Sequence, residues 1–288
     1  MPRYFWMAIE VGPMSWSKAL GQYLCNRFPV TQFVPLAVFI AAAGLAPAPP
    51  GLLSEWAVAA ALALILVLQF RLWDDIADRE RDRISHPDRI LCQSRDIKLF
   101  LIAALSLSVM SGLLLAWYHG QNARSAAYLL LCATLFAWYR LRPASTAPSL
   151  LNSMLILLKY PGIAWLVSTP GAAHDTPLLI SCLFSVYLIF IIFEILDDHS
   201  LRQLPGAISS LLACFGLLLC VWVFIVLWTR PHAGQLPWVA WSLIMLGTLT
   251  LGLSDFLKLR DRKAARKGRG FFLVGLLVYL TVAIERSP

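Results

Sequence analysis

An all-α bundle of about nine membrane-spanning helices is the fold class this sequence predicts, and three observations carry it. Hydrophobic residues make up 59% of the 288 positions and charged residues only 14%, where a soluble domain carries roughly a quarter charged. Mean hydropathy is +0.70. Nine apolar runs approach the length of about 20 residues that crosses a bilayer, and Lys and Arg collect in alternate loops between them.

In chain order the runs fall near 28–46, 53–73, 97–118, 123–139, 149–168, 177–197, 207–229, 236–254 and 270–286, the fourth and ninth being short. The first residues, with Arg3, Lys18 and several aromatics, lack the basic start and clean apolar core of a cleaved signal peptide and read as an interfacial segment. With nine spans the termini lie on opposite sides. One side then holds Arg3, Lys18, Arg27, seven basic residues between 71 and 98, Arg140, Arg142, Arg202 and seven more between 258 and 269. The other holds Arg124, Arg230 and Arg286, and Lys159 falls inside a span. Twenty against three places the N-terminus in the cytoplasm and the C-terminus across the membrane, in the inner membrane if the cell is bacterial.

The net charge of +8 is thus accounted for by membrane orientation and lipid contact, and nucleic acid is not an expected partner. The whole chain, 1–288, reads as a single domain, without a linker or an internal repeat. Six cysteines without CxxC spacing read as small buried hydrophobes. The glycine-rich phosphate loops, the HExxH pair and the GxSxG elbow are absent.

Chemistry concentrates after the second run, in Leu72-Trp-Asp-Asp-Ile-Ala-Asp-Arg-Glu-Arg-Asp-Arg83. Asp74, Asp78 and Asp82 recur every four residues, so each step rotates only about 40° around a helix and all three share a face with Asp75 at its edge. Stacked carboxylates repel, which a divalent cation reverses. Hard oxygen donors with room for water and phosphate suit magnesium. The alternative is a solvated loop in which Arg79, Arg81 and Arg83 pair the acids, but their spacing sets them on another face.

This pattern resembles the first aspartate-rich motif, Asn-Asp-x-x-Asp-x-x-x-Asp, of the UbiA superfamily of intramembrane prenyltransferases. Asp74 stands where that family usually has Asn, and Asp75, Asp78 and Asp82 fill the remaining positions. His86-Pro87-Asp88-Arg89 and Arg27-Phe28-Pro29 are similar to flanking stretches in the family. The resemblance implies a central cavity open to the cytoplasm and a second acidic motif at the end of the sixth span, met here by Glu194, Asp197 and Asp198. Arg202 stands where a further acid is usual. It also implies a Tyr followed by basic residues after the fourth span, matched by Tyr139-Arg140-Leu141-Arg142.

Lys159 lies about ten residues into the fifth run, roughly 15 Å of helical rise, beside a Tyr160-Pro161-Gly162 sequence able to bend the helix. Buried in a membrane it needs a partner or a wet cavity. A place on the cavity wall, facing Glu194 or a diphosphate, and a structural ion pair are equal alternatives.

The activity implied is magnesium-dependent transfer of a prenyl group from a prenyl diphosphate to a small-molecule acceptor, with aromatic acceptors among the candidates. Asp74, Asp75, Asp78, Asp82, Glu194 and Asp198 are the expected metal ligands, and Arg27, Arg140 and Arg142 the expected diphosphate ligands. Asp75, Asp78, Asp82 and Lys159 are expected to carry catalysis. A membrane terpene cyclase of the same superfamily shares these motifs. A non-enzymatic transporter or lipid-binding protein is the reading from a different class.

Overall fold

The computed structural model describes residues 16–45, 53–94, 97–120, 122–141, 149–168, 176–197, 201 and 203–229. The eighth and ninth expected spans lie outside these residues, as does the basic run 258–269. Among the described residues all regular structure is helical: α1 Trp16–Arg27, α2 Val30–Leu45, α3 Leu53–Ala77, α4 Arg79–Ser85, α5 Ile90–Gln93, α6 Ile97–His119, α7 Asn122–Leu141, α8 Leu150–Leu157, α9 Lys159–Leu166, α10 Thr176–Asp197 and α11 Ala207–Thr229. A helix or helix pair occupies each of the first seven expected spans. α3 and α6 are each long and apolar enough to cross a membrane.

The outer surface is apolar. On α6 the large side chains Ile102, Leu105, Val109, Leu113 and Trp117 are all exposed, at steps of three or four residues that align them on one face. A stripe of that length facing water would be unstable, and facing lipid it is not. Together with the composition it makes the chain an integral membrane protein.

The main core lies where α2, α3, α9 and α10 meet, around Phe39, Ile40, Leu66, Phe70, Ile163, Ile189 and Ile192. Close approach of α2 and α9 depends on Gly44: a Cβ there would lie 2.2 Å from the carbonyl oxygen of Ala164. That atom is backbone, so a helix must move to make room. Gly44→Ala is therefore expected to cost about 1–3 kcal/mol. Gly21, in α1, has nothing within 4 Å of its Cβ position, so Gly21→Ala should be neutral or stabilising by about 0.5–1 kcal/mol. Unfolding in detergent measures both, and equal midpoints for the two variants would refute the close-contact account.

Polar side chains tie the helices together inside the apolar mass. The Tyr128 hydroxyl on α7 lies 2.9 Å from Gln69 Oε1 on α3 and 2.8 Å from the Ser108 carbonyl on α6. Trp73 Nε1 donates to Ser108 Oγ at 3.0 Å. With no water to compete, such bonds fix which helices pair. At the end remote from the acidic motif, Arg124 donates to the carbonyls of Trp165 and Ser168 and closes the C-terminus of α9.

The fifth expected span is two helices, α8 and α9, joined at Leu158. Pro161 explains the break, since it has no N–H to give to the Leu157 carbonyl four residues back. The helix is thus interrupted beside Tyr160-Pro161-Gly162, and Lys159 takes the first position of α9. Of the cysteines, 182 and 214 are buried as expected, but Cys25 and Cys220 are exposed and Cys92 and Cys132 lie between. An apolar environment at a lipid-facing position does not require burial against protein.

Candidate functional site

α3 carries its helix four residues past the expected end of the second span, and so Asp74 and Asp75 belong to the span helix itself. The helix then breaks at Asp78 and restarts as α4. The amide of Asp78 still donates to the Asp74 carbonyl (2.8 Å) and that of Asp82 to the Asp78 carbonyl (2.9 Å). Helical register is kept across the break, which keeps these acids on one side.

That side lines a cavity of about 440 Å³. Its wall holds five carboxylates, Asp74, Asp75, Asp78, Asp82 and Glu194, and five cations, Arg27, Arg71, Arg81, Arg89 and Lys159. Ile156, Leu157 and Tyr160 give it an apolar margin. The Tyr160 ring stacks on Phe190 at 3.6 Å, locking α9 to α10. Asn152, also on the wall, accepts from Trp138 Nε1 at 2.9 Å, which ties the end of α7 to the start of α8.

Each acid of the first motif meets a particular partner. Asp75, buried, is gripped by Arg27 from α1 through two bonds, Nε to Oδ2 at 3.0 Å and Nη2 to Oδ1 at 2.7 Å. The Tyr23 hydroxyl donates to the same carboxylate at 2.9 Å. Burial, and then the Asp75 charge, push the Tyr23 phenol above its usual range, so it remains a donor at neutral pH. Asp74 accepts from Lys159 and from the Tyr139 hydroxyl, which draws α3, α7 and α9 to one point. Asp82 pairs with Arg89, and Asp78 with Arg81 at 3.1 Å.

The acidic turn is braced from behind. Arg79 donates to the carbonyls of Leu91 and Ser94, both at 2.8 Å, which folds α5 back under α4. Tyr23, Leu72, Leu91, Phe100 and Ala104 form a second, smaller core beneath it.

Asp74, Asp75, Asp78, Asp82, Glu194, Arg27 and Lys159, read from separate parts of the sequence, therefore line one cavity. Arg140 is not on its wall; its guanidinium lies 5.3 Å from the centroid of the Phe136 ring. Arg142 and Asp198 lie outside the described residues. One expectation changes. The arginines do not all face away from the acids, because Arg81 folds back onto Asp78 over three residues of helix. Of the alternatives open for Lys159, the structure shows an ion pair, with Asp74 as the partner, on the wall of the same cavity. Tyr23 and Arg71 were missed. Tyr23 stands four residues before Arg27 on α1 and Arg71 four before Asp75 on α3, and that spacing was the available signal.

No family model matches the chain, and no curated protein sequence does. Among solved structures it is similar to a UbiA homologue from Archaeoglobus fulgidus bound to Cd2+, at a TM-score of 0.62 and 14% identity, over 92% of this chain and 99% of that one. It is also similar to a digeranylgeranylglyceryl phosphate synthase studied in membranes, at a TM-score of 0.54 and 13% identity, over 93% and 99%. At such identities the likeness is one of architecture, and on it the chain has the fold of the UbiA homologues.

Proposed function

We propose that this protein is an intramembrane prenyltransferase of the UbiA superfamily, transferring an isoprenoid chain from its diphosphate to a small-molecule acceptor with help from a divalent cation, magnesium in the cell. The observation that carries the reading is the meeting of the first acidic motif with Glu194 and Lys159 around one cavity with an apolar margin.

The donor set fits a hard cation, being carboxylate oxygen throughout. Among the described residues no three such groups yet converge as a metal site, since Asp74, Asp75, Asp78 and Asp82 each hold a protein cation. Asp78 and Asp82, with Asp74, Glu194 and Asp198, are the residues that would hold the ion. Asp75 is so fully engaged by Arg27 and Tyr23 that it is better suited to orienting α1 against the site. Bound metal would offset negative charge on the departing diphosphate. The fold of one solved relative holding Cd2+ is in keeping with divalent binding.

The chain's own residues supply the rest. Cavity cations share the charge of the diphosphate head, and Ile156, Leu157 and Tyr160 receive the first isoprene units and keep water from the allylic carbon. The acidic motif lies in the segment 71–98 with seven Lys and Arg, and the charge rule assigns that side to the cytoplasm.

Purified protein given prenyl diphosphates of increasing length should release inorganic pyrophosphate with magnesium and none after chelation. Release that requires an added acceptor identifies a transferase. A cyclic hydrocarbon formed without acceptor would move the reading to a terpene cyclase, and no release from any donor would leave a transporter or lipid-binding protein.

A further inference from the structure

The cations on the cavity wall are not equivalent. Arg27 is held by Asp75 through two hydrogen bonds, and Arg81, Arg89 and Lys159 are each in direct contact with a carboxylate. Arg71 differs. Its Nε is buried and makes no hydrogen bond, and its ion pair with Asp75 is a loose one, Nε standing 3.7 Å from Oδ1, beyond hydrogen-bonding distance. Asp75 already accepts three bonds from Arg27 and Tyr23 on α1, so its oxygens are largely taken up there. Part of the Arg71 side chain remains open to the cavity, at 34% exposure.

We propose that Arg71 is the diphosphate-binding arginine on this cavity wall, and that Arg27, one of the three expected, is instead engaged with Asp75 in holding α1 against the site. The assignment rests on the prenyl diphosphate reading above and names the residue that meets its head group. A buried guanidinium N–H without an acceptor is a cost that a structural residue would have relaxed away, and an oxyanion relieves it. The planar fork suits two oxygens of one phosphoryl group, a geometry that an ammonium cannot copy.

Binding of inorganic pyrophosphate, followed by calorimetry in detergent with and without magnesium, tests the assignment. Wild-type protein should bind. Arg71→Gln should weaken binding by about ten- to a hundredfold in both conditions. Arg71→Lys should recover only part of that, and the thermal midpoints of all three should stay close. Wild-type binding with Arg71→Gln within twofold of it overturns the role of Arg71 and leaves the cavity's function intact. Should Arg71→Gln fail to fold, Arg71→Lys decides, since affinity equal to wild type overturns the claim for the fork. Wild-type protein that binds no pyrophosphate in either condition overturns this assignment together with the prenyl diphosphate reading.

Discussion

Lys159→Met should destabilise the protein by about 3–5 kcal/mol, a loss that Asp74→Asn in the same chain should largely reverse. Lys159 is buried at the start of α9, and Asp74 at the end of α3 is its carboxylate partner. Removing the ammonium alone leaves Asp74 with the Tyr139 hydroxyl, and a neutral donor does not replace a charge at low dielectric. Asp74→Asn alone strands a buried ammonium, with a comparable cost. With both changed no charge is left to compensate, and the double variant should unfold within about 1–2 kcal/mol of wild type. A double-mutant cycle on unfolding in micelles measures this. Simple addition of the two single losses would show that Lys159 and Asp74 do not depend on one another.

That pair also shows how far the sequence could be read. The apolar runs specified the helices of the first seven expected spans, since a bilayer imposes length on every span. Spacing of four put Asp74, Asp78 and Asp82 on one side, and the structure keeps that register even though the helix restarts at Asp78. Lys159 stood out because a lysine in an apolar run needs a reason, and the Pro161 break that helps place it was visible.

The partner of Lys159 could not be read in the same way. Asp74 and Lys159 are 85 residues apart, and nothing in either segment states which acid the ammonium will meet. The division of labour between Arg27 and Arg71 was hidden for a related reason. Both are basic residues beside the acidic motif, and they separate only once α1 folds against α3 and brings Tyr23 and Arg27 onto Asp75. Local periodicity reports faces of a helix, whereas pairing across helices is decided by packing.

Asp78→Ala should lower kcat by about a hundred- to a thousandfold while changing stability by no more than about 1 kcal/mol. Its ion pair with Arg81, which is 41% exposed, is open to solvent, and such a pair contributes little to folding. The carboxylate is nonetheless on the cavity wall, in the register that suits a metal ion. Asp82→Ala should behave differently. Asp82 is buried, its contact with Arg89 ties the turn after α4 to the cavity, and the change should cost activity and about 2–4 kcal/mol of stability together. Rate of pyrophosphate release set against unfolding midpoint separates the two variants. An Asp78→Ala protein that stays folded and turns over at the wild-type rate would remove Asp78 from the metal-binding set, and with it the main support for a cation held at this motif.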